Sequence, residues 1–197
     1  FSFLMHANYE GRSPIFFTGI TGTGKSAIMS AMLLALSKTE EEGGIGGSER
    51  DLGLTTLPVP INFSGQTQSA LVQSTIEAKL EKKRKDLVGA PVGKTVVLFI
   101  DDVNMPARET YGAQPPIEVL RLLQDKVEHY RPYGGVWDRK KLTWNDVVDT
   151  VLCTACGPPG GGRNVVTNRY FRFFSMFNVS APSNAVLKVI FGSILDG

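Results

Sequence analysis

Residues Gly19-Ile20-Thr21-Gly22-Thr23-Gly24-Lys25-Ser26 spell G-x-x-x-x-G-K-S, and the residue types state a chemistry. Glycines allow the main chain to curl so that successive N–H groups, from Gly19 and Thr21 through Gly22, Thr23 and Gly24 to Ala27, point at phosphate oxygens. Lys25 adds a point charge for the β- and γ-phosphates, and the Ser26 hydroxyl is a ligand for Mg²⁺. Seventy-five residues on, a run of apolar residues ends in Asp101-Asp102. A hydrophobic strand closing on an acid is the expected partner of such a loop. Asp101 would hold Mg²⁺ opposite Ser26, and Asp102 would stand beside the γ-phosphate and orient an attacking water. A glycine turn with an accidental Lys-Ser and an acid that merely starts a turn are the plainer readings. The flanking sequence and the presence of both motifs argue against them.

These groups need elements to hold them. Ile15–Thr18 reads as a short buried strand leading into the loop, and Ala27–Leu36 as a buried helix leading out, which adds the helix dipole to the anion site. Thr95–Ile100 is the strongest strand, apolar on both faces as a central parallel strand should be. Leu57–Phe63 is a second strand, placed at an edge by its prolines. Gln66–Lys85 reads as one helix, with Val72, Ile76 and Leu80 on one face and the basic run Lys82–Lys85 at the negative end of its dipole. Gly89–Gly93 reads as a turn, and Pro115 opens a helix to about His129 with Ile117, Leu120, Leu123 and Val127 inward. Tyr133–Asp138 reads as a hairpin turn, and Thr150–Cys156 as a buried strand. Gly157–Gly162 is a loop, Thr167–Phe174 a short helix, Met176–Val179 an edge-side strand and Asn184–Leu195 a last helix. Strand and helix alternate, so the fold class is α/β with a mainly parallel sheet.

Composition narrows the function. Lys and Arg number 21 against 19 Asp and Glu, for a net charge of +2, so no strong field marks the chain for nucleic acid or an anionic membrane. No apolar run reaches membrane length. Phe1-Ser2-Phe3-Leu4 lacks a leader's basic region, and without an initiating methionine the sequence reads as a piece of something longer. Glu40–Arg50, acidic and glycine-rich, reads as an exposed loop. Cys153 and Cys156 form C-x-x-C inside an apolar strand. One pair cannot complete a four-ligand zinc site, so two reduced core cysteines are expected.

Four segments in order resemble the dynein heavy chain, in the third AAA+ module of its axonemal form: Gly19–Ser26, Phe99–Pro106 (F-I-D-D-V-N-M-P), Tyr111–Glu118 (Y-G-A-Q-P-P-I-E) and Gly157–Asn164 (G-P-P-G-G-G-R-N). Asn62-Phe63-Ser64 and Lys79–Lys85 also look like that module. The resemblance implies a P-loop NTPase (AAA+) three-layer sandwich with a five-stranded parallel sheet. All 197 residues would form the large subdomain, without the helical lid. The region around Gly89–Pro91 would belong to an insert in the second helix, and Trp137–Trp144 to a hairpin before the fourth strand. It implies ATP or ADP with Mg²⁺, and as partners the neighbouring AAA+ modules of the same heavy chain. Through the full motor it implies microtubules and dynein intermediate and light chains. The place would be cytoplasm and cytoskeleton, in the axoneme of a cilium or flagellum.

Arg169 and Arg172 lie three apart, on one helix face. By resemblance one of them, with Arg172 favoured, is an arginine finger that serves a neighbouring module's nucleotide in trans. Two departures from the family pattern favour slow hydrolysis. Asp102 stands where AAA+ hydrolases usually carry Glu, and Gly157 where a polar sensor residue is expected; Asn164 is the substitute candidate. A binding module without turnover is the alternative. A GTPase is disfavoured by the lack of an N-K-x-D segment, and a small-molecule kinase by the lack of an arginine-rich lid.

Overall fold

A computed structural model describes residues 14–38, 55–126 and 133–195. Five strands form one sheet: β1 (Ile15–Thr18), β2 (Thr55–Asn62), β5 (Lys94–Asp101), β8 (Thr150–Cys156) and β9 (Ser175–Asn178), in the order β2-β5-β8-β1-β9. Every neighbouring pair is parallel. The strands alternate strictly. Phe16, Val96, Leu98, Ile100 and Leu152 belong to the core on one face, and Ile15, Val97, Phe99, Val151 and Cys153 to the core on the other. Apolar side chains on both faces require cover on both, and helices supply it. Helix α1 (Lys25–Lys38) seals one face with Met29 and Leu33, four apart on one stripe. Helices α2 (Ser69–Glu77), α3 (Pro115–Gln124) and α4 (Asn168–Phe171) seal the other with Val72, Ile76, Ile117, Leu120 and the fully buried Tyr170. The result is three layers. The two pro-rich or short strands, β2 and β9, take the edges as their sequences suggest.

A second sheet, of which the resemblance implies only the Trp137–Trp144 hairpin, packs beside α3. It runs β3 (Glu81–Arg84), β4 (Leu87–Gly89), β7 (Trp144–Val148), β6 (Gly135–Trp137), with β4 parallel to β7 and the other pairs antiparallel. Val136 and Val147 contribute to the core that α3 covers. Trp137 and Trp144 face each other across the β6–β7 hairpin, edge to face at 5.6 Å, where the resemblance places a hairpin before the fourth strand.

Several boundaries need correction. The single helix expected over Gln66–Lys85 stops at Glu77, tightens through Ala78–Leu80, and reverses into β3. The basic run is therefore an exposed strand and not a helix terminus. Four adjacent like-charged side chains crowd on a helix, whereas an extended strand sends them to opposite sides. Asp86, at φ 58°, closes the turn into β4. Gly89 ends that strand, and the turn that follows is closed by Lys94 N–H on Pro91 C=O at 3.0 Å. Half of the turn expected at Tyr133–Asp138, Gly135–Trp137, is strand β6. The true turn is Asp138–Leu142, where the Asp138 carboxylate accepts the N–H of Lys141 and Lys140 at 2.9 and 2.8 Å, an arrangement that holds this acid below its usual pKa. Helix α1 is not buried all round, since Ile28 and Leu34 are 43% and 54% exposed. Helix α3 ends at Gln124, short of the expected His129, because Asp125 turns to an extended conformation (φ −79°, ψ 90°); Val127, His129 and the Glu40–Arg50 loop lie outside the described residues. The last helix, α5 (Asn184–Leu195), matches its expected span and has no buried residue. Among the described residues no helix is long and apolar enough to cross a membrane.

Candidate nucleotide site

The main sheet brings the C-terminal ends of β1, β5 and β8 to one edge, the crevice where open parallel sheets bind ligands. From β1 the chain enters the loop at Gly19. A Cβ there would sit 2.3 Å from the Val179 carbonyl oxygen, so only glycine fits between the loop and the chain leaving β9. Gly22 and Gly24 take φ of 83° and 80° and turn the chain into α1. The Thr23 hydroxyl bonds Ile20 C=O at 3.0 Å and stiffens the bend. Helix α1 then starts at Lys25 with no acidic side chain of its own in the first turn, so its electropositive end faces the cup.

Lys25 Nζ donates to the carbonyls of Gly19 and Ile20, at 2.8 Å each, and lies 3.4 Å from Thr23 Oγ1. The ammonium thus hangs over the cup formed by its own loop. The Ser26 hydroxyl donates to the Asp101 Oδ2 carboxylate across 75 residues of sequence. The other Asp101 oxygen accepts the Asp102 N–H at 2.9 Å. A hydroxyl and a carboxylate in contact at a helix N-terminus are hard oxygen donors, the set that suits Mg²⁺. Among the described residues no three His, Cys, Asp or Glu side chains gather to hold a metal, so a divalent ion here would complete its shell with phosphate oxygens and water. The residues fit the ion on those terms. Thr21 and Ala27, the remaining loop positions, are exposed.

Asp102 stands beside this pair with φ 50°, a left-handed conformation uncommon for a non-glycine residue. Its Oδ1 meets Arg163, at 3.2 Å to Nη2 and 3.4 Å to Nε. Sequence reasoning gave Arg163 no role. It arrives because Gly160, Gly161 and Gly162 all take positive φ and double the chain back, and Gly160 and Arg163 exchange N–H and C=O bonds at 3.0 and 3.1 Å. Gly157, where a polar side chain was expected, leaves the room: a Cβ there would meet Arg163 Nε at 3.0 Å and Cδ at 3.2 Å. The readable signal was a missing side chain at the strand end, then three glycines and a cation.

Asn164 folds back as the expectation required, but its amide lies 3.0 Å from Pro106 C=O and 3.5 Å from Met105 C=O. Its N–H bonds Asn104 C=O at 2.8 Å, and Asn104 Nδ2 bonds Gly157 C=O at 2.9 Å. Asn164 therefore laces the loop after β5 to the loop after β8. Beside these loops and Gly19 lies a largely apolar cavity of about 410 Å³, lined by Ile20, Cys156, Pro158, Val166 and Phe171.

Cys153 and Cys156 are free and buried, as expected. Burial pushes the Cys156 thiol up to about 11, against the pull of Lys25; Asp102 raises it and Arg163 lowers it. Cys153 is raised further by burial. Both stay protonated near neutrality and are poor nucleophiles.

Arg169 and Arg172 lie away from this cup. Arg169 is exposed on α4, and Arg172 caps the helix. The Arg172 side chain is 56% exposed, and its guanidinium lies 3.0 Å from Asp125 and 4.5 Å over the Phe173 ring. Asp125 is held in turn by Arg121, which also grips Glu118 at 2.6 Å. Burial draws Arg121 down, but Glu118 and Asp125 outweigh it and raise it overall.

Comparison with known proteins gives the family. The family described as the P-loop containing dynein motor region matches residues 50–182. Over its full length the chain is 45% identical to human dynein axonemal heavy chain 6, covering 4% of that protein. It is 43% identical to human dynein axonemal heavy chain 3, across 99% of the chain and 4% of the relative. It is 36% identical to the dynein-1-alpha heavy chain of the flagellar inner arm I1 complex of Chlamydomonas reinhardtii, again across 99% and 4%. The chain thus spans a small fraction of these relatives. With a five-stranded parallel sheet, a phosphate loop on its edge and a family match over most of its length, this chain belongs to the P-loop dynein motor-region family.

Proposed function

We propose that this chain is the large AAA+ subdomain of the third module in an axonemal dynein heavy chain, residues 1–197, with its helical lid supplied by sequence outside it. It binds ATP or ADP with Mg²⁺, hydrolyses ATP slowly, and regulates a minus-end-directed microtubule motor in the axoneme of cilia or flagella. The observation that carries the reading is the Ser26–Asp101 contact beneath Lys25, which unites the two phosphate-handling motifs at one point. Mg²⁺, when bound, neutralises charge on the β- and γ-phosphates. Lys25 exchanges its two loop carbonyls for phosphate oxygens, a stronger charge-assisted pairing. Loop N–H groups from Gly19 to Ala27 orient the phosphates. Asp102 accepts a proton or hydrogen bond from the attacking water. Its side chain is one methylene shorter than the usual Glu, and a misplacement of that size costs about 10²-fold in rate.

The neighbouring modules of the same heavy chain are the immediate partners. Intermediate and light chains and the microtubule join through the full motor. Arg172 or Arg169 reaches the adjacent module's nucleotide, which for Arg172 requires leaving Asp125. A binding module without turnover is the second reading, favoured by the Arg163 guanidinium on the carboxylate that must face water.

The test is turnover in the complete heavy chain with Asp102→Asn in this module. Slow hydrolysis predicts unchanged nucleotide binding and reduced ATP turnover. Unchanged turnover selects the binding-only reading.

A further inference from the structure

Two cations stand at the phosphate loop and its two acids, and of these only Lys25 belongs to the phosphate loop. The second is Arg163. Its stem fills the space left by Gly157, and its guanidinium lies on Asp102, the acid adjoining the one that binds Ser26. The pair is partly wet, with the side chains of Arg163 and Asp102 21% and 41% exposed. Ion pairs this accessible are cheap to break. A guanidinium meeting a phosphate oxygen gains a shorter, charge-assisted and often bidentate contact. Its base is fixed: the Gly160–Arg163 turn is closed in both directions, and Asn164 is tied to Pro106. A rigid root under a loosely paired head describes a side chain able to change partner without moving its loop. Asp102 takes a left-handed φ of 50°, which sets the direction of its Cα–Cβ bond at the end of β5 whichever partner its carboxylate has.

We propose that Arg163 is the positioning residue that senses a terminal phosphate in this site. The inference rests on the nucleotide reading above. With a diphosphate bound, Arg163 stays on Asp102 and occupies the carboxylate. A γ-phosphate placed beside Asp102 takes the guanidinium, and the released Asp102 carboxylate turns to water. Asn164, whose amide is committed to main-chain carbonyls, braces the loop that carries Arg163. Gly157 is then a requirement of the device, because any side chain there meets the arginine stem.

The experiment is calorimetric titration of the complete heavy chain with Mg·ADP and with Mg·ATPγS, for wild type, Arg163→Ala and Gly157→Ala in this module, with Lys25→Ala as the reference that lacks this site's binding. Wild type binds both nucleotides. Arg163→Ala weakens ATPγS by about ten- to a hundredfold, the range of a lost hydrogen-bonded charge, and ADP by less than about twofold. Gly157→Ala keeps the arginine but displaces it, and shifts the ATPγS-to-ADP ratio in the same sense by a smaller factor. This second variant carries the test if Arg163→Ala does not fold. Equal losses for both nucleotides, or an unchanged ratio, overturn the sensing role while leaving the nucleotide site intact. Wild type that matches Lys25→Ala for both nucleotides overturns the nucleotide reading itself, and the sensing role with it.

Discussion

The two halves of the site are assembled by opposite means. The phosphate-loop half comes from eight consecutive residues, and its donors are fixed by local turns and by the first turn of α1. The Asp102–Arg163 half joins residues 61 apart in sequence, and exists only because two loops after β5 and β8 are laced together. The first half is a composition of spacing, and so is shared widely among phosphate-binding proteins. The second depends on strand order and on one glycine turn, and so is where this chain's own behaviour resides. Grip and timing are therefore separable by mutation.

The largest separable effect falls on the junction between the halves. Asp101→Ala removes the carboxylate that meets Ser26, and should abolish the dependence of nucleotide affinity on Mg²⁺. Titration with and without chelator checks it, with wild type losing about tenfold or more on chelation and the variant losing almost nothing. Asp102→Asn should leave affinity within about twofold and lower turnover by about 10²-fold, a loss confined to the timing half. Affinity that falls with turnover would show that the halves are one. Gly19→Ala attacks the grip half by sterics, since its methyl meets the Val179 carbonyl at 2.3 Å. Overpacking of this kind costs about 1–3 kcal/mol, seen as a lower midpoint in thermal unfolding. The smallest effect at this site belongs to Arg172→Ala. The Asp125 pair is half exposed and contributes at most about 1 kcal/mol, so affinity here should not change. In the intact ring its effect should appear at the preceding module's nucleotide.

Legibility followed the same division. Strand β5 was readable because every residue from Thr95 to Ile100 is buried, so apolar composition alone marks a central strand. Pro58 and Pro60 marked β2 as an edge for a stated reason, the missing N–H. Helix α2 was overextended because Leu80 continues the period of Val72 and Ile76 and does pack on their core, yet from outside the helix. The partners that draw Glu81–Arg84 into a sheet, β4 and through it β7, include a strand about 60 residues away, which local periodicity does not see. Arg163 escaped for the same reason. Its role follows from where three glycines send the chain. Asn164, the expected substitute for the sensor missing at Gly157, braces the loop instead.

The central claim is that the curl at the foot of α1 holds a magnesium nucleotide. Calorimetry with Mg·ATP on wild type and Lys25→Ala tests it most directly. Wild type should bind, and removing the cation now hung on the Gly19 and Ile20 carbonyls should weaken binding by about a hundredfold or more. Equal affinity in the two proteins would contradict the account.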